Sequence, residues 1–503
     1  MPVSFNNIPA SGLYTPLFFA EMDNSQANTS TGSDNRRLLI GQVNDDSTSE
    51  VGKLQICGSV TEAKSIGGTG SMLGTMYQAM RKTDPAGEIW IVPVKLATGS
   101  AAAGAVAFDG TATAAGVLNL YIGGKRLQVT VPKGMLAADL ASAVETAIAG
   151  AIDIPVTAEA TEKSVALTTR WKGETGNDIR IEINRKGTAG GERTPAGIAV
   201  TITAMADGAG QPDVADILAA VGDEPFEFIC SPWSDESSLD DFREWMNDVS
   251  GRWAWSSMLY GHVYTARRGE LGTLVSEGKA RNDQHVTVHG FETGVGNPAY
   301  EVAAAWVGMT AVFISAGPAR PTQTGALIGI DPAPSGQRFL FTERNSLLSY
   351  GTATAYYGGG YYRIERAVTT YQENAFGQPD NSYLDSETMH QSAYIIRYLR
   401  TRVTSQYPRH SVADDGTAFG PGVAIVTPSM ARAEMVSAYY ELEEAGIVEN
   451  ADMFAKYLIV ERDANDPNRF NSLFPPDYVN QLRVFAMLNQ FRLQYAAEAP
   501  AAA

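Results

Sequence analysis

The chain has 503 residues, of which 44% are apolar and 19% are charged, and this balance is typical of a globular protein rather than a disordered one. Its formal net charge of −18 opposes binding to phosphate backbones, so direct nucleic-acid binding is not expected. A single hydrophobic core does not grow to this length, and we expect two to four domains.

The cysteines and the apolar runs indicate a protein that folds in the cytoplasm. Cys57 and Cys230 lie in the strand-like runs LQICGSV and FEFICSP, which predicts two buried free thiols and a reducing compartment. No Lys or Arg precedes Arg36, so the basic start of a signal peptide is missing. The uncharged stretch Val302–Gly317 is shorter than a membrane span, and we expect a buried helix running into a buried strand, without membrane insertion.

The first 96 residues predict an arm followed by the start of an α/β domain. Residues 1–35 are rich in Ser, Asn, Thr and Gly around one apolar island, Tyr14–Ala20, which predicts an extended N-terminal arm. From Arg37 follow the strands RLLIGQV and KLQICGSV, one or two helices that end at Pro85, and the buried strand EIWIVPV. Strands that alternate with helices indicate an α/β layer.

Residues 97–208 break this pattern and predict an inserted β-rich domain. Leu118, Leu120 and Ile122 alternate with other residues, Gly123-Gly124 follows, and a second alternating run completes a hairpin signal. A short helix at about 136–149 and the strands VALTTRW, DIRIEIN and GIAVTITAM complete the insert. Because the α/β pattern resumes after the linker DGAGQPD, one discontinuous α/β domain of residues 36–96 and 209–329 is the simplest account.

The resumed segment predicts three helices, at 213–221, 236–249 and 269–279, with strands after each, and a further helix from Pro298 capped by Asn297. One face of the 236–249 helix carries acidic residues and the other carries Leu239, Phe242, Trp245 and Val249. Like charges four residues apart cost a few tenths of a kcal/mol per pair. This face is either solvated or a docking strip for a basic partner; its members are Glu236, Asp240, Glu244 and Asp248.

Residues 330–480 predict a C-terminal α/β domain. Two strands are expected around Gly358–Gly360, a long helix over 386–407, and a strand at FAKYLIV. A helix over 428–445 is marked by Thr427 as cap, a proline at its first position and Gly446 just past its end. The predicted fold class is therefore a multidomain α/β (α+β) protein with a sandwich-type core domain, a β-rich insert, a C-terminal α/β domain and extended arms.

Residues 481–503 predict a C-terminal arm strand with a disordered tail. Phe491, Leu493 and Tyr495 alternate with polar residues, as in a half-buried strand, and AAEAPAAA follows with nothing to pack. A strand beside a chain end can leave its own domain, because few contacts hold it there. Such a strand can be added to the sheet of another molecule.

The motifs of common enzymes are missing from the sequence. The glycine-rich loop Ser65–Gly74 lacks the Gly-Lys-Ser/Thr ending of a P-loop and has one residue too many for a dinucleotide site, so its glycines are expected to serve tight turning and helix packing. His285 and His289 lie on a predicted strand, about 13 Å apart, which is too far to share a metal ion. We therefore expect no catalytic residues, cofactor or metal, and an α/β enzyme without a recognisable motif remains the alternative.

Several long segments resemble the tail sheath proteins of contractile-tailed phages, in particular those of Mu-like myophages. They are NIPASGLYTPLFFAEMDNSQA with RRLLIGQ at the front, FTERNSLLSYG and YYRIERAVTTYQ further on, and LIVERDANDPNRFNSLFPPDYVNQLRVFAMLNQFRLQY near the end. The order of arm, interrupted α/β domain, C-terminal domain and arm also fits. The resemblance covers most of the chain and is weakest in residues 97–208.

The resemblance implies a non-enzymatic structural subunit of a contractile tail. Subunits of this family stack as six-fold rings around a tail tube and contract to drive the tube through a cell envelope. The implied partners are other copies of the chain, the tail tube protein, and the baseplate and tail terminator proteins. The implied location is the virion tail, after assembly in the host cytoplasm. The sheath of a headless contractile bacteriocin or injection system remains open, as does a baseplate or capsid protein.

The resemblance also implies interaction residues. In this family both arms reach neighbouring subunits, inserted domains face outward, and the C-terminal domain faces the tube. The N-terminal arm residues are Tyr14, Leu17, Phe18 and Phe19, and those of the C-terminal arm are Leu482, Val484, Phe485, Phe491, Leu493 and Tyr495. Charges on the 428–445 helix are either solvated or in polar contact with the tube, namely Arg432, Glu441, Glu443 and Glu444.

Overall fold

The computed structural model describes residues 35–493, which form two compact units. The first unit comprises the described residues up to Ala266 together with Gly296–Val307, and the second comprises Arg267–Val295 and the described residues from Gly308. The predicted N-terminal arm residues from Tyr14 to Phe19, and Tyr495 at the other end, lie outside the described residues.

The α/β part of the first unit holds one largely parallel sheet. Its elements before the insert are β1 (Arg37–Gln42), β2 (Gln55–Cys57), α1 (Val60–Gly67), α2 (Met72–Thr83) and β3 (Ile89–Val94). The elements after the insert, numbered to follow those of the insert, are α4 (Val214–Ala219), β11 (Phe228–Cys230), α5 (Glu236–Met246) and β12 (His262–Arg268).

Strands from both sides of the insert meet in this sheet. Within the first unit the strand order is β12-β11-β1-β3-β2, and β1 pairs in parallel with β3 on one side and with β11 on the other. All six residues of β1 are buried. Parallel strands covered on both faces carry continuous apolar runs, which explains why RLLIGQ and EIWIVPV show little alternation.

The insert folds as two antiparallel sheets. Its elements are β4 (Ala101–Gly110), β5 (Gly116–Ile122), β6 (Lys125–Val131), α3 (Ala137–Ala149), β7 (Val156–Thr161), β8 (Ser164–Lys172), β9 (Ile181–Ile183) and β10 (Ile198–Ala206). One sheet has the order β10-β4-β8-β7 and the other β6-β5-β9. The predicted hairpin is confirmed: β5 pairs with β6, and Gly123 and Gly124 have φ of 56° and 77°, as a tight hairpin turn requires.

The two ends of the insert meet, and its body packs on the α/β part of the same unit. Ser100 and Ala209 exchange backbone hydrogen bonds of 2.9 and 3.1 Å. The Trp171 ring packs edge-on against Tyr300 with centroids 5.8 Å apart. Lys64 forms an ion pair of 2.6 Å with Asp153 of the insert. Removing the insert would therefore uncover side chains that are now buried.

The second unit begins with α6 and three paired strands and continues through a helical region. Its elements are α6 (Leu271–Lys279), β13 (Val286–Phe291), α7 (Ala299–Ala316, which begins in the first unit), α8 (Phe341–Ser349), β14 (Thr352–Gly358), β15 (Tyr361–Arg366), α9 (Ser386–Gln406), β16 (Ser411–Val412), β17 (Ile425–Val426), α10 (Pro428–Glu444), β18 (Val448–Glu449), α11 (Ala451–Tyr457), β19 (Ile459–Arg462), β20 (Phe470–Leu473) and β21 (Asp477–Tyr478).

Two predictions for this unit are confirmed. β14 and β15 pair antiparallel around Gly358–Gly360, and β14 pairs in parallel with β13. The helices α9 and α10 end within one residue of their predicted bounds.

A core under α10 is centred on Tyr439 and Phe454, whose rings stack 3.7 Å apart, and Phe474 packs on Phe454 at 4.9 Å.

Four local predictions are wrong. FAKYLIV is not one strand, because Ala451 starts α11 with its N–H donated to Glu443 Oε1 at 2.9 Å, and β19 begins only at Ile459. The stretch from Val302 stays helical to Ala316. The helix predicted over 236–249 ends at Met246, because Asn247 Oδ1 accepts the N–H groups of Val249 and Ser250. Asp248 and Val249 therefore lie outside α5, and Val249 is 83% exposed. The helical spacing of apolar residues in 386–407 predicts a buried stripe of Met389, Ala393, Ile396, Leu399 and Val403. On α9, however, Ile395 is buried, whereas Ile396 and Val403 are 39% and 38% exposed.

One helix in the described part, α7, is long and apolar enough to cross a membrane by length and composition alone. However, 67% of it is buried inside the protein. Val302, Ala303, Ala304, Ala305 and Val307 have no exposed surface. A helix that is apolar all round and packed against its own chain is typical of a protein core.

Candidate functional site

The C-terminal segment that follows β21 lies outside every sheet and carries a dense series of exposed apolar side chains. From residue 479 to 493 the described backbone forms neither helix nor strand. Seven of its apolar side chains are between 66% and 96% exposed: Leu482, Val484, Phe485, Met487, Leu488, Phe491 and Leu493. The structure thus brings five of the six predicted C-terminal arm residues into one stretch. Monomeric proteins rarely leave so much contiguous apolar surface in water.

The root of this segment is held by hydrogen bonds to its own unit. β21 pairs with β18, with Tyr478 opposite Val448. Tyr478 donates its hydroxyl to Ser392 at 3.0 Å, and the Gln323 side chain donates to the carbonyl of Leu482 at 3.0 Å. The segment is therefore fixed up to about residue 483, and six of its seven exposed apolar side chains lie beyond that point.

Four charged side chains form a cluster at this root, and the sequence patterns did not predict that they meet. Arg483 lies 3.1 Å from Asp385 Oδ1 and 3.3 Å from Glu387 Oε1. Arg366 donates two hydrogen bonds to Asp385, at 2.7 and 2.8 Å, and this bonding raises the pKa of Arg366. The Glu387 side chain is fully buried and accepts from the N–H and hydroxyl of Thr322 at 2.9 and 2.8 Å. Each carboxylate thus has at least one guanidinium partner.

The hairpin β19–β20 is the second unusual surface of this unit. It is a two-stranded sheet in which Ile459 faces Leu473, and both are more than half exposed. On the other face Val460 packs against the core around Tyr439. Each strand has an outer edge that pairs with no strand of the described chain. Such edges are templates for another strand.

The charged residues predicted on the 428–445 helix are mostly engaged within the chain. Arg432 donates to the carbonyls of Leu458 and Ala455, at the end of α11. Hydrogen bonds from Tyr398 and from Arg402 hold the pKa of Glu441 below its usual value. Glu443 caps the start of α11. Of the four, only the exposed Glu444 makes no side-chain hydrogen bond or ion pair with the described part of the chain.

The glycine-rich loop between α1 and α2 has the structural role that the sequence predicted. Gly70 has φ +71°, and a Cβ there would lie 2.1 Å from the carbonyl oxygen of Ile154. Ser71 caps α2 through its hydroxyl, which accepts from Gly74 N–H at 3.1 Å. The glycines therefore allow tight turning and close packing.

Burial shifts the pKa values of the two cysteines and of His289. Cys57 and Cys230 are free and buried, as predicted, and burial raises the pKa of both thiols. Burial lowers the pKa of His289 to about 3, so this imidazole is neutral. Among residues 35–493 no group of three or more His, Cys, Asp or Glu could hold a metal ion.

Comparison with protein families matches three parts of the chain. Residues 97–209 match the phage tail sheath protein beta-sandwich domain, residues 207–370 the phage tail sheath protein central domain, and residues 378–492 the phage tail sheath C-terminal domain. The Mu-like prophage FluMu tail sheath protein of Haemophilus influenzae is 36% identical over 496 residues, which cover 98% of this chain and 100% of that protein.

Solved structures with a related chain path include two sheath tail proteins. That of Desulfitobacterium hafniense is 12% identical and covers 93% of this chain and 100% of its own, with a TM-score of 0.48. That of Listeria innocua is 11% identical and covers 89% of this chain and 92% of its own, with a TM-score of 0.49.

Proposed function

Since this chain belongs to the phage tail sheath protein family, and is thus a structural component of a contractile tail, we propose that its copies stack as six-fold rings around a tail tube and contract to drive the tube through a cell envelope. The observation that carries this proposal is the C-terminal segment, which leaves a folded unit with seven apolar side chains in water. A partner surface must cover them for the segment to be stable.

The partner surface that fits is the β19–β20 hairpin of another copy. An extended segment gains affinity by adding main-chain hydrogen bonds to an open sheet edge, and gains specificity from alternate side chains. A two-stranded sheet is marginally stable alone and is strengthened by a third strand. Ile459 and Leu473 offer apolar surface to arm residues such as Phe485 and Phe491. Copies joined in this way stay linked while their folded bodies move.

The domains take roles in this proposal that follow from the family. Residues 36–96 and 209–329 form the central α/β body, and residues 97–208 are an outer domain that faces away from the tube. Residues 330–480 face the tube, with Glu444 as the charged residue of α10 that is free to meet it. The segments 1–35 and 481–503 are the arms, and Tyr14, Leu17, Phe18 and Phe19 dock on a neighbour as the C-terminal arm does.

The proposed partners are other copies of the chain, the tail tube protein, and the baseplate and tail terminator proteins. The assembly forms in the host cytoplasm and acts in the tail. Its energy is stored in the conformation of the extended sheath, so contraction consumes no nucleotide. A headless contractile bacteriocin or injection system would use the same geometry.

Negative-stain electron microscopy of the purified protein tests the proposal. A sheath protein forms tubes of uniform diameter, a capsid protein forms closed shells, and an α/β enzyme stays a monomer or small oligomer. Tubes with six-fold end views support the proposal. Shells, or small particles at every concentration and salt condition that keeps the protein folded, would overturn it.

A further inference from the structure

We propose that Arg483 is the anchor that sets where the C-terminal arm leaves its own subunit, and so sets how far the arm reaches to its neighbour. This inference rests on the proposed exchange of the arm between copies. It concerns the buried cluster of Arg366, Asp385, Glu387 and Arg483, which surrounds the last residues of the segment that are held by their own unit.

The burial of this cluster makes it a strong anchor. The Glu387 side chain has no exposed surface, and those of Asp385 and Arg483 are only 12% and 14% exposed. A buried charge whose partner is removed is strongly destabilising, because neither water nor another ion replaces the lost partner. If the root peeled away, Glu387 would lose its guanidinium partner. The ion pairs of Arg483 therefore oppose detachment of the segment from its own unit. Val484 and the apolar residues after it are exposed and far less restrained.

Hydrogen bonds to Gln323 also hold the anchor and the residue before it. Gln323 accepts from Arg483 Nη1 at 3.2 Å and donates to the Leu482 carbonyl at 3.0 Å. Leu482 itself is 66% exposed, so its side chain adds little. The cluster and Gln323 thus hold the Leu482 backbone and the Arg483 side chain. The apolar side chains of the segment remain available to a partner.

The position of the anchor determines the length of the free arm. An extended chain spans at most about 3.3–3.6 Å per residue, so freeing residues 479–483 would add roughly 17 Å of reach. The effective concentration of a tethered strand at its docking site depends on tether length. A fixed anchor gives every copy the same tether and so favours one spacing between subunits. A loose root gives a range of tethers.

The test compares the variants Arg483→Met, Arg483→Lys and Gln323→Ala with Arg400→Ala, which removes an exposed arginine from α9. Arg483→Met is expected to loosen residues 479–483 in the unassembled subunit. Val479 reports this, because its N–H donates to the Ile447 carbonyl at 3.3 Å, and its hydrogen exchange should speed up by about tenfold or more with the rest of the second unit unchanged. Gln323→Ala loosens the same residues while both carboxylates keep their partners. Arg483→Lys restores part of the protection, and Arg400→Ala exchanges as the original protein does.

Electron microscopy of the assembled variants separates anchoring from a structural role. Arg483→Met and Gln323→Ala are expected to fold, and to give fewer tubes with a wider spread of ring spacing. Loss of protection throughout the second unit in both variants would make the cluster a general structural feature and overturn the inference. Wild-type ring spacing in both variants would overturn it too.

Truncation distinguishes this inference from the proposed function. If a chain that ends at Arg483 still forms tubes, arm exchange itself is wrong, and the anchor inference falls with it. If that chain forms none, while Arg483→Met and Gln323→Ala give tubes of normal spacing, arm exchange stands and only the anchor inference fails.

Discussion

Ile459 and Leu473 face each other across the β19–β20 ladder on its outward side, with 51% and 59% of their surfaces exposed. The opposite face of the hairpin packs through Val460 on the core around Tyr439. The hairpin is therefore held in place from one side while its other side offers two apolar residues and open strand edges. We regard this face as the docking site for the arm of another copy.

Polar substitutions on this face are expected to weaken assembly without unfolding the chain. Burying a leucine or isoleucine side chain contributes about 1.5–3 kcal/mol, so Leu473→Ser should lower the affinity between copies roughly tenfold or more. Phe376→Ser is the matched control, because Phe376 is 88% exposed in a loop remote in sequence from the hairpin. The measurement is the critical concentration for tube formation. Equal critical concentrations for both variants would remove the hairpin face from the contact.

Truncation of the arm should separate folding from assembly. A chain that ends at Arg483 keeps every strand and helix of the described structure, so its thermal midpoint should stay close to that of the full chain. It should form no tubes, because the apolar part of the arm is gone. A chain that ends at Tyr495 lacks only AAEAPAAA and should still assemble. Light scattering and microscopy give the readout, and tubes from the shorter chain would refute arm exchange.

Deleting the insert should preserve assembly at a cost in stability. Ser100 and Ala209 are hydrogen-bonded neighbours, so a short Gly/Ser linker can replace residues 97–208 without straining the ends. The thermal midpoint should fall, because Tyr300 is now 2% exposed and loses its contact with Trp171. Calorimetry and microscopy of the shortened chain provide the check. A shortened chain that is unfolded would make the insert part of the core rather than a separate outer domain.

The charges of α10 predict different effects for Glu444 and Glu441. Glu444→Lys changes an exposed carboxylate without partners in the described chain, so stability should change by no more than about 0.5 kcal/mol. Glu441→Lys instead places a cation beside Arg402 and should lower the thermal midpoint. If α10 meets the tube, Glu444→Lys slows assembly on purified tubes. Assembly on tubes at the original rate and length would exclude Glu444 from that contact.

The helix ends could be predicted from local sequence, whereas the anchor could not. Thr427, Pro428 and Gly446 bound α10 because caps and breakers act within one turn, and the prediction was within one residue. α11 was missed because its N-terminal cap comes from Glu443, on the preceding helix. Arg483 meets Asp385 and Glu387 across about a hundred residues of sequence, and no periodic pattern encodes such a contact.

The exposure of the arm also needed the structure. Alternation at the chain end predicts a half-buried strand, and in the described residues to Leu493 the segment lies in no sheet and its apolar side chains are exposed. Sequence alone does not say whether a strand finds its partner in its own chain, because alternation reports one buried face and not whose surface covers it. The acceptor role that we propose for β19–β20 could not be predicted from the sequence for the same reason.

Cysteine cross-linking between two variants tests arm exchange most directly. One variant carries a cysteine in the arm, in turn at Val484, Phe485 or Leu488, and the other carries Leu473→Cys on the hairpin. The native Cys57 and Cys230 are buried with raised thiol pKa values, so they react slowly and give little background. The two variants are mixed, assembled and then mildly oxidised. Because each carries only one engineered cysteine, a disulfide between arm and hairpin can form only between different copies.

Arm exchange predicts a disulfide-linked dimer on a non-reducing gel for at least one arm position. The dimer should form in tubes, and should be absent from the unassembled mixture and from mixtures with Phe376→Cys in place of Leu473→Cys. Well-formed tubes without any arm-to-hairpin dimer, at all three arm positions, would contradict the account.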